Sequence, residues 1–298
     1  MRILLTGPGG FLGSALARYW AGRGHALTLL ARPSSRLERL EHLLPSMHVL
    51  RASTPEEIVA AVREAAPDAI VHTACSYGRR GETPLDVMGA NLVLGGALLQ
   101  AVLDDATGST GPVAFLNTGT VLAPEVSLYA LSKTQFSAWG AALAAASPQR
   151  LRFIDIRLQQ MYGPGDDRSK FTSHVIEACR RDEPHLALTP GEQRRDFIHI
   201  DDVVRAYDHI LERREDFAAS DAIDVGSGEA VTMRAFVELA KQVTGASTLL
   251  DFGAVPYRPN EAMLCVADTS RLLSLGWRPE VSLTDGLAHM ARLPDAQR

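Results

Sequence analysis

Cysteine is scarce in this sequence, and its scarcity excludes two classes of protein. The chain contains only three cysteines, Cys75, Cys179 and Cys265, which lie far apart. Disulfide-stabilised secreted domains and small zinc-binding domains carry their cysteines in dense, regularly spaced sets. The sequence therefore predicts neither a disulfide framework nor a metal site.

An excess of charge of one sign is also missing, and so is a long apolar run. The formal net charge of −5 gives no support for a nucleic-acid or anionic-membrane surface. No apolar run approaches the roughly 20 residues that span a bilayer, and the chain opens on a strand-like run rather than a signal peptide. With 298 residues, 46% of them hydrophobic and 22% charged, we expect a cytoplasmic globular protein of one large or two modest domains.

The first thirteen residues carry the strongest pattern in the chain. Arg2–Thr6 is a short apolar run, glycines follow at positions 7, 10 and 13, and a helical pattern begins near Leu12. Strand, glycine turn and helix form the context of a dinucleotide-binding fingerprint. Gly7 permits a tight turn, Gly10 admits a pyrophosphate and Gly13 allows close packing of helix on strand, while the helix N-terminus favours negative charge. The alternative is an ordinary strand-to-helix turn.

The residues after the second predicted strand, His25–Ala31, bear on the choice of cofactor. Enzymes that use NAD usually carry Asp or Glu here to accept hydrogen bonds from the ribose. This sequence has Ala31 followed by Arg32 and Arg36. Arginine suits a 2′-phosphate in charge and in bidentate geometry. We therefore expect NADP, with NAD as the other option; the alternative is a pair of solvated surface arginines.

A tyrosine and a lysine share one face of a predicted helix. Tyr129 and Lys133 are spaced i and i+4, so the ammonium is expected to lower the pKa of the phenol from its reference of about 10. A phenol tuned in this way exchanges a proton with an alcohol or carbonyl oxygen. Thr118, which follows the predicted strand Val113–Leu116, is the candidate hydroxyl beside it, and Thr120 is its competitor. The same spacing also occurs on merely amphipathic helices.

Taken together, these motifs resemble the extended branch of the short-chain dehydrogenase/reductase superfamily that acts on nucleotide sugars. The wide spacing of the three glycines fits this branch, as do residues 158–165, 188–203 and 255–287. The segment 162–203 is similar to CDP-abequose synthase-type reductases of nucleoside-diphosphate 4-keto-6-deoxyhexoses. The resemblance runs from residue 1 to about residue 290.

The resemblance implies a set of site residues. Those expected to be catalytic are Thr118, Tyr129 and Lys133. Those expected to bind the cofactor are Gly7, Gly10, Phe11, Leu12, Gly13, Arg32, Ser35, Arg36, Thr73, Ala74, Asn91, Tyr129 and Lys133. Those expected to bind the substrate are Ser76, Gln160, Arg195 and Arg258. For Asn91 the alternative is a buried polar residue that ties two backbones together, and for Arg258 it is an exposed charge.

Several positions depart from the patterns of this branch or invite another interpretation. Dehydratases have Asp-Glu after the catalytic Thr, where this chain has Gly119 and Thr120, which argues against elimination chemistry. Gln160 replaces an Asn of the family pattern. His72 and His199 are expected to pack in strands, and Asp201 is expected to cap a helix over 203–213 rather than to bind a metal.

Alternating strands and helices predict an α/β protein with a doubly wound parallel Rossmann sheet and a smaller α/β C-terminal substrate-binding lobe. The sheet domain is expected over 1–157, with 198–225 returning to it, and the lobe mainly over 158–298. The implied activity is the NADPH-dependent reduction of the C4 keto group of a nucleoside-diphosphate 4-keto-6-deoxyhexose. The alternatives are an NAD-dependent nucleotide-sugar epimerase, less favourably a dehydratase, or a non-catalytic NADP sensor. At the level of the superfamily we expect a homodimer.

Overall fold

A computed structural model describes residues 1–104, 107–109, 111–258 and 261–292. The strands are β1 (Arg2–Thr6), β2 (Ala26–Ala31), β3 (His48–Arg51), β4 (Ala69–His72), β5 (Val113–Thr118), β6 (Leu151–Leu158), β7 (Gln160–Tyr162), β8 (His185–Leu188), β9 (Arg194–His199), β10 (Ser220–Val225), β11 (Ala230–Thr232), β12 (Leu249–Phe252) and β13 (Leu264–Cys265). The α-helices are α1 (Phe11–Ala21), α2 (Pro55–Ala65), α3 (Pro84–Met88), α4 (Leu94–Leu103), α5 (Leu128–Ala146), α6 (Phe171–Arg180), α7 (Ile200–Glu212), α8 (Met233–Thr244), α9 (Ser270–Ser274) and α10 (Leu283–Arg292).

The chain divides into two compact units, and the first contains residues 1–157 and 207–223. Its centre is a seven-stranded sheet in the order β10-β6-β5-β4-β1-β2-β3, and each adjacent pair from β6 to β3 is parallel. The predicted doubly wound parallel sheet is therefore confirmed. The strand order reverses between β1 and β4, and open α/β sheets bind ligands at such a switch point.

The core of this unit explains why α5 lies firmly against the sheet. Phe136 of α5 packs against Phe115 of β5 and Phe153 of β6, with ring centroids 6.0 Å apart in both pairs. All three rings are buried. Aromatic contacts of this kind add to the free energy gained by burying apolar area. The packing fixes the helix that carries Tyr129 and Lys133.

Most predicted elements occur within a few residues of their expected bounds. Thr54 caps α2 in a capping box with Glu57, and Thr232 caps α8, as expected. The predicted helix over 37–44 is wrong, since that segment forms 3-10 turns. The predicted helix over 84–107 consists of α3, a π-helical turn over Gly89–Val93 and α4; its residues 105 and 106 lie outside the described residues.

One helical run is an exception to the expectation that no apolar run is long enough to span a bilayer. Within the described residues, Pro84–Leu103 is long and apolar enough by length and composition to cross a bilayer. In the structure α4, the second half of this run, belongs to the core of the first unit, because Leu98, Leu99 and Val102 are at most 2% exposed and belong to the hydrophobic cluster on the sheet.

The second unit contains residues 158–206 and 224 to the last described residue, 292; the six residues beyond 292, included in the predicted lobe, lie outside the described residues. Strand β9 pairs with β7, β11 and β13, and β8 pairs with β12. Helices α6, α8 and α10 pack on one another. At the centre of this core the rings of Phe197 and Phe236 stack with centroids 4.3 Å apart.

The acidic pair at the start of α7 does not act as predicted. The helix begins at Ile200, so Asp201 lies inside its first turn and the predicted cap is wrong. Asp202 is buried; it pairs with Arg205 and accepts hydrogen bonds from the backbone N–H groups of Glu280 and Val281. This carboxylate anchors the segment before α10. His199 is buried in β9, as expected.

Candidate active site

The glycine loop after β1 has the geometry that the sequence predicts. Gly7 adopts a φ of +69°, a region that favours glycine, and accepts a hydrogen bond from the N–H of Gly10 at 3.0 Å. A Cβ on Gly13 would collide with the carbonyl group of Gly7. Both glycines are therefore required for the turn and for the close approach of α1 to β1.

The N-terminus of α1 fits the phosphates of a dinucleotide. Gly10 is the N-cap, no described side chain caps it, and no acidic residue occupies the first turn. A Cβ on Gly10 would meet only the carbonyl oxygen of Gly7. The positive end of the helix dipole and the first-turn N–H groups, which include those of Phe11 and Leu12, therefore favour an anion.

The end of β4 is joined to the glycine loop by a chain of hydrogen bonds. Thr73 donates from Oγ1 to the carbonyl oxygen of Thr6 at 2.7 Å, and the N–H of Ala74 donates to Thr6 Oγ1 at 3.3 Å. His72 Nδ1 lies 2.8 Å from the same hydroxyl oxygen. Burial and the charge of Lys133 lower the pKa of His72 to about 3, so His72 is a neutral packed residue and not an acid–base catalyst.

The loop after β2 presents two exposed arginines, Arg32 and Arg36. Its backbone is held by Arg51, whose Nη1 donates to the carbonyl oxygens of Arg32 at 2.8 Å and Ser35 at 2.9 Å. The guanidinium of Arg51 thus shapes the loop in which the 2′-phosphate of NADP was predicted. No sequence motif singled out Arg51; the clue available was its position at the end of the neighbouring predicted strand.

Thr118 is the last residue of β5 and faces an unpredicted partner. Its Oγ1 lies 2.8 Å from the hydroxyl of Tyr207, which is fully buried on α7. The half of α7 that begins at Tyr207 belongs to the first unit, so Thr118 and Tyr207 share that unit. The competitor Thr120 instead contributes a side-chain hydrogen bond to Tyr129.

Tyr129 and Lys133 lie in the first two turns of α5, but their electrostatics differ from the prediction. Burial raises the pKa of the Tyr129 phenol well above its usual value, Cys75, Tyr77 and Tyr207 raise it further, and the hydrogen bond from Thr120 lowers it. The predicted lowering of this pKa is wrong, because desolvation of the phenolate dominates. Lys133 is 1% exposed, and burial lowers its pKa.

A carboxylate that the sequence analysis missed lies near Lys133. Asp155 of β6 accepts hydrogen bonds from Asn117 Nδ2 at 2.6 Å and from Ser137 Oγ at 2.7 Å, and its charge acts to raise the pKa of Lys133. Ser137 is one helical turn beyond Lys133 on α5. Asp155 therefore stabilises the charged form of a lysine that burial would neutralise.

The side chain of Asn91 forms hydrogen bonds with other groups of the protein. Its Nδ2 donates to the carbonyl oxygen of Ser76 and to Oγ of Ser132, both at 2.9 Å, and its Oδ1 accepts from the N–H of Ser76 at 2.7 Å. It thereby joins the loop after β4 to α5, which is the alternative considered for this residue. In that loop, the ring of Tyr77 lies over the ring of Tyr129 with centroids 4.6 Å apart.

The remaining substrate residues, Gln160, Arg195 and Arg258, lie in the second unit. Gln160 and Arg258 are exposed. Arg195 is 12% exposed and forms an ion pair with Glu261, with Nη2 2.5 Å from Oε1. The neighbouring residues 259 and 260 of the predicted phosphate-binding segment lie outside the described residues.

The chain is similar to known proteins at the level of a family and of single relatives. The model of the NAD dependent epimerase/dehydratase family matches residues 3–226. CDP-abequose synthase of Salmonella typhimurium is 27% identical over 97% of this chain and 97% of its own length. GDP-L-fucose synthase 1 of Arabidopsis thaliana is 25% identical over 96% of this chain and 91% of its own.

Solved structures share the fold. A UDP-glucose-4-epimerase from Stenotrophomonas maltophila, solved with bound NAD and formylated UDP-arabinopyranose, superposes with a TM-score of 0.85 at 21% identity and covers 98% of this chain and 97% of its own. The predicted resemblance and Rossmann fold are confirmed. A nicotinamide dinucleotide is confirmed as the cofactor class at the level of the family.

Proposed function

Because the chain belongs to the NAD dependent epimerase/dehydratase family, we propose that it reduces the C4 keto group of a nucleoside-diphosphate 4-keto-6-deoxyhexose with NADPH. The proposal is supported by the positions of Thr118 at the end of β5 and of Tyr129 and Lys133 one turn apart on α5, together with a phenol whose pKa is raised. The full-length likeness to CDP-abequose synthase and GDP-L-fucose synthase supports a nucleotide sugar as substrate.

A phenol whose pKa is raised by desolvation is suited to act as the proton donor of a reduction. A reductase needs a proton donor, and a neutral phenol can protonate an alkoxide, which is a far stronger base than phenolate. An epimerase of this family must first remove a proton from an alcohol, for which a phenol of raised pKa is poorly suited. Gly119 and Thr120, in place of an acidic pair, likewise argue against a dehydratase.

When bound at the N-terminus of α1, NADPH would supply a hydride (two electrons and a proton) to C4 of the sugar and would leave as NADP⁺. Tyr129 donates the second proton to the C4 oxygen, so that the ketone becomes an alcohol, and the phenolate then regains a proton from water. Thr118 donates a hydrogen bond to the same oxygen as negative charge develops on it. The charge of Lys133 stabilises the transient phenolate.

Groups distant from the reacting carbon position the two ligands. Arg32 and Arg36 would bind the 2′-phosphate of NADPH, and the N-terminus of α1 would bind its pyrophosphate. Arg195 and Arg258 would bind the diphosphate of the sugar nucleotide. Binding energy from these remote charges is used to orient the ketone.

We also propose a homodimer formed through an apolar face on α3 and α5. Its exposed side chains are Leu85, Met88, Leu128, Leu131 and Trp139, the last 69% exposed, and α3 packs beside α5. Several exposed apolar side chains on two adjacent helices are typical of an interaction surface. In light scattering, Trp139→Lys should give a monomer, whereas Leu249→Lys, at an exposed leucine of β12, should not. A wild-type monomer would contradict this proposal.

The activity is tested by adding NADPH or NADH to the purified protein with CDP-, dTDP-, GDP- or UDP-linked 4-keto-6-deoxy sugars. The proposal predicts oxidation of NADPH, in preference to NADH, in equal amounts with formation of a 4-hydroxy sugar nucleotide. Interconversion of C4 epimers without added NADPH, by protein that retains NAD, would instead identify an epimerase.

A further inference from the structure

We propose that Tyr207 is a positioning residue for the reduction described above: its phenol donates a hydrogen bond to Thr118 Oγ1 and so directs the Thr118 proton toward the substrate oxygen. The inference rests on the proposed function and extends it to a residue that no motif identifies. Tyr207 acts through Thr118 and does not itself touch the ligand.

The two hydroxyls are held by rigid elements of the first unit. Thr118 ends β5, an inner strand of the seven-stranded sheet, and Tyr207 lies on α7, 89 residues further along the chain. Their oxygens are 2.8 Å apart, a normal distance for an O–H···O hydrogen bond. Tyr207 is fully buried, whereas Thr118 is partly exposed. Tyr207 is thus inside the protein, whereas part of Thr118 is accessible from outside.

The direction of the hydrogen bond follows from what each proton can reach. Thr118 Oγ1 is the one hydrogen-bond partner of the Tyr207 hydroxyl within the described residues. If Thr118 were the donor, the buried phenol would keep a proton without an acceptor, at a cost of about 1–3 kcal/mol. If Tyr207 is the donor, its proton is satisfied and the Thr118 proton points to the accessible side.

The environment of Tyr207 makes it a donor of a hydrogen bond and not of a proton. Burial raises its pKa, the hydrogen bond with Thr118 lowers it, and the charges of Asp155 and Cys75 raise it. The phenol therefore stays neutral at working pH. Donation to Oγ1 polarises the Thr118 O–H group, which strengthens the hydrogen bond that Thr118 makes in turn.

The kinetic test uses Tyr207→Phe, which removes one oxygen and keeps the ring in the core. We expect kcat to fall by about 3- to 10-fold, the worth of one hydrogen bond, with KM for NADPH and for the sugar unchanged. The matched control is Tyr162→Phe: Tyr162 is also buried, and its hydroxyl lacks a hydrogen-bond partner among the described residues, so kcat should stay at the wild-type value.

A double-mutant cycle shows whether the effect passes through Thr118. In a Thr118→Val background, Tyr207→Phe should cause no further loss of kcat; in a Thr118→Ser background, which keeps the hydroxyl, the loss should return. Full activity of Tyr207→Phe, or an equal loss in the valine background, would overturn the proposal. Thermal unfolding of every variant separates these outcomes from misfolding.

A second readout does not depend on activity. In the ¹³C NMR spectrum of protein labelled at tyrosine Cζ, the signal that disappears in Tyr207→Phe belongs to Tyr207. We expect this signal to shift in Thr118→Val and to stay in place in Thr118→Ser; an unchanged signal in Thr118→Val would overturn the proposal. A wild-type protein that reduces none of the sugars would contradict the proposed function, while this spectrum would still decide whether Tyr207 bonds to Thr118.

Discussion

Arg195 and Glu261 form an ion pair in which Nη2 lies 2.5 Å from Oε1 and both side chains are largely shielded from water. Arg195 is also the residue proposed to bind the diphosphate of the sugar nucleotide. A guanidinium has five N–H donors, so the carboxylate occupies only part of its hydrogen-bonding capacity but competes with the ligand for its charge.

Arg195→Ala should raise KM for the sugar nucleotide by about 10- to 100-fold and leave kcat within a few-fold of wild type, because a hydrogen bond to a charged group is worth about 1.5–3 kcal/mol. Glu261→Gln should lower KM, because Arg195 then meets the diphosphate without a competing carboxylate. Arg194→Ala is the control, since the Arg194 guanidinium donates to the carbonyl oxygen of Ala230. Steady-state kinetics would contradict this role if the Arg194 and Arg195 variants behaved alike.

Removal of Arg32 or Arg36 should change the choice of cofactor. Arg32→Ala and Arg36→Ala are each expected to raise KM for NADPH by about 10-fold and to leave KM for NADH unchanged, since only NADPH carries a 2′-phosphate. Arg51→Ala should act in the same direction, because it releases the two carbonyl oxygens that Arg51 holds. Arg63→Ala, at an exposed arginine of α2, controls for loss of charge. Equal changes in KM for NADPH and NADH would show that the loop does not bind the 2′-phosphate.

Asp155→Asn should move the alkaline limb of the pH–rate profile to lower pH. Burial lowers the pKa of Lys133, and Cys75 and Asp155 act against that shift. The variant loses one opposing charge, so Lys133 deprotonates at a lower pH, and activity that depends on its charge is lost earlier. Ser137→Ala, which removes one hydrogen bond to Asp155 but keeps the charge, should leave the limb in place. Coincident profiles for wild type and Asp155→Asn would exclude this role.

His72 should make the protein less stable in acid. Its pKa is about 3 in the folded chain against an ordinary value of 6.5, so below pH 6.5 the unfolded chain binds a proton that the folded chain does not. The free energy of unfolding therefore rises with pH between about 3 and 6.5. At pH 4.5 this residue alone should make it about 3 kcal/mol lower than it is well above pH 6.5. Urea unfolding measured against pH should show a shallower slope for His72→Gln; an identical slope would contradict the assignment.

The elements that the sequence predicts well are those set by local rules. The glycines at 7, 10 and 13 mark a strand-to-helix turn, and the structure gives Gly7 the positive φ that the turn needs. Thr118 could be placed because it ends a strand recognisable from its apolar run. Likewise Thr54 and Thr232 cap helices because their hydroxyls reach N–H groups three residues ahead.

What the sequence does not predict depends on contacts distant in the chain or on burial. Tyr207 meets Thr118 across 89 residues, and no pattern in α7 indicates that meeting. The spacing of Tyr129 and Lys133 predicts a lowered phenol pKa, but desolvation of the half-buried phenol decides the sign of the shift. The sequence predicts Asp201 as a cap, whereas the helix begins one residue before it, at Ile200.

The central claim is that Tyr129 protonates a C4 alkoxide formed by hydride transfer, and NADPH fully deuterated at C4 of its nicotinamide tests it most directly. Mass and NMR spectra of the product should show one deuterium at C4 of the sugar for each NADP⁺ formed, and Tyr129→Phe should slow product formation at saturating NADPH by about 10²- to 10⁴-fold. A product without deuterium at C4, or a Tyr129→Phe protein as fast as wild type, would contradict the mechanism.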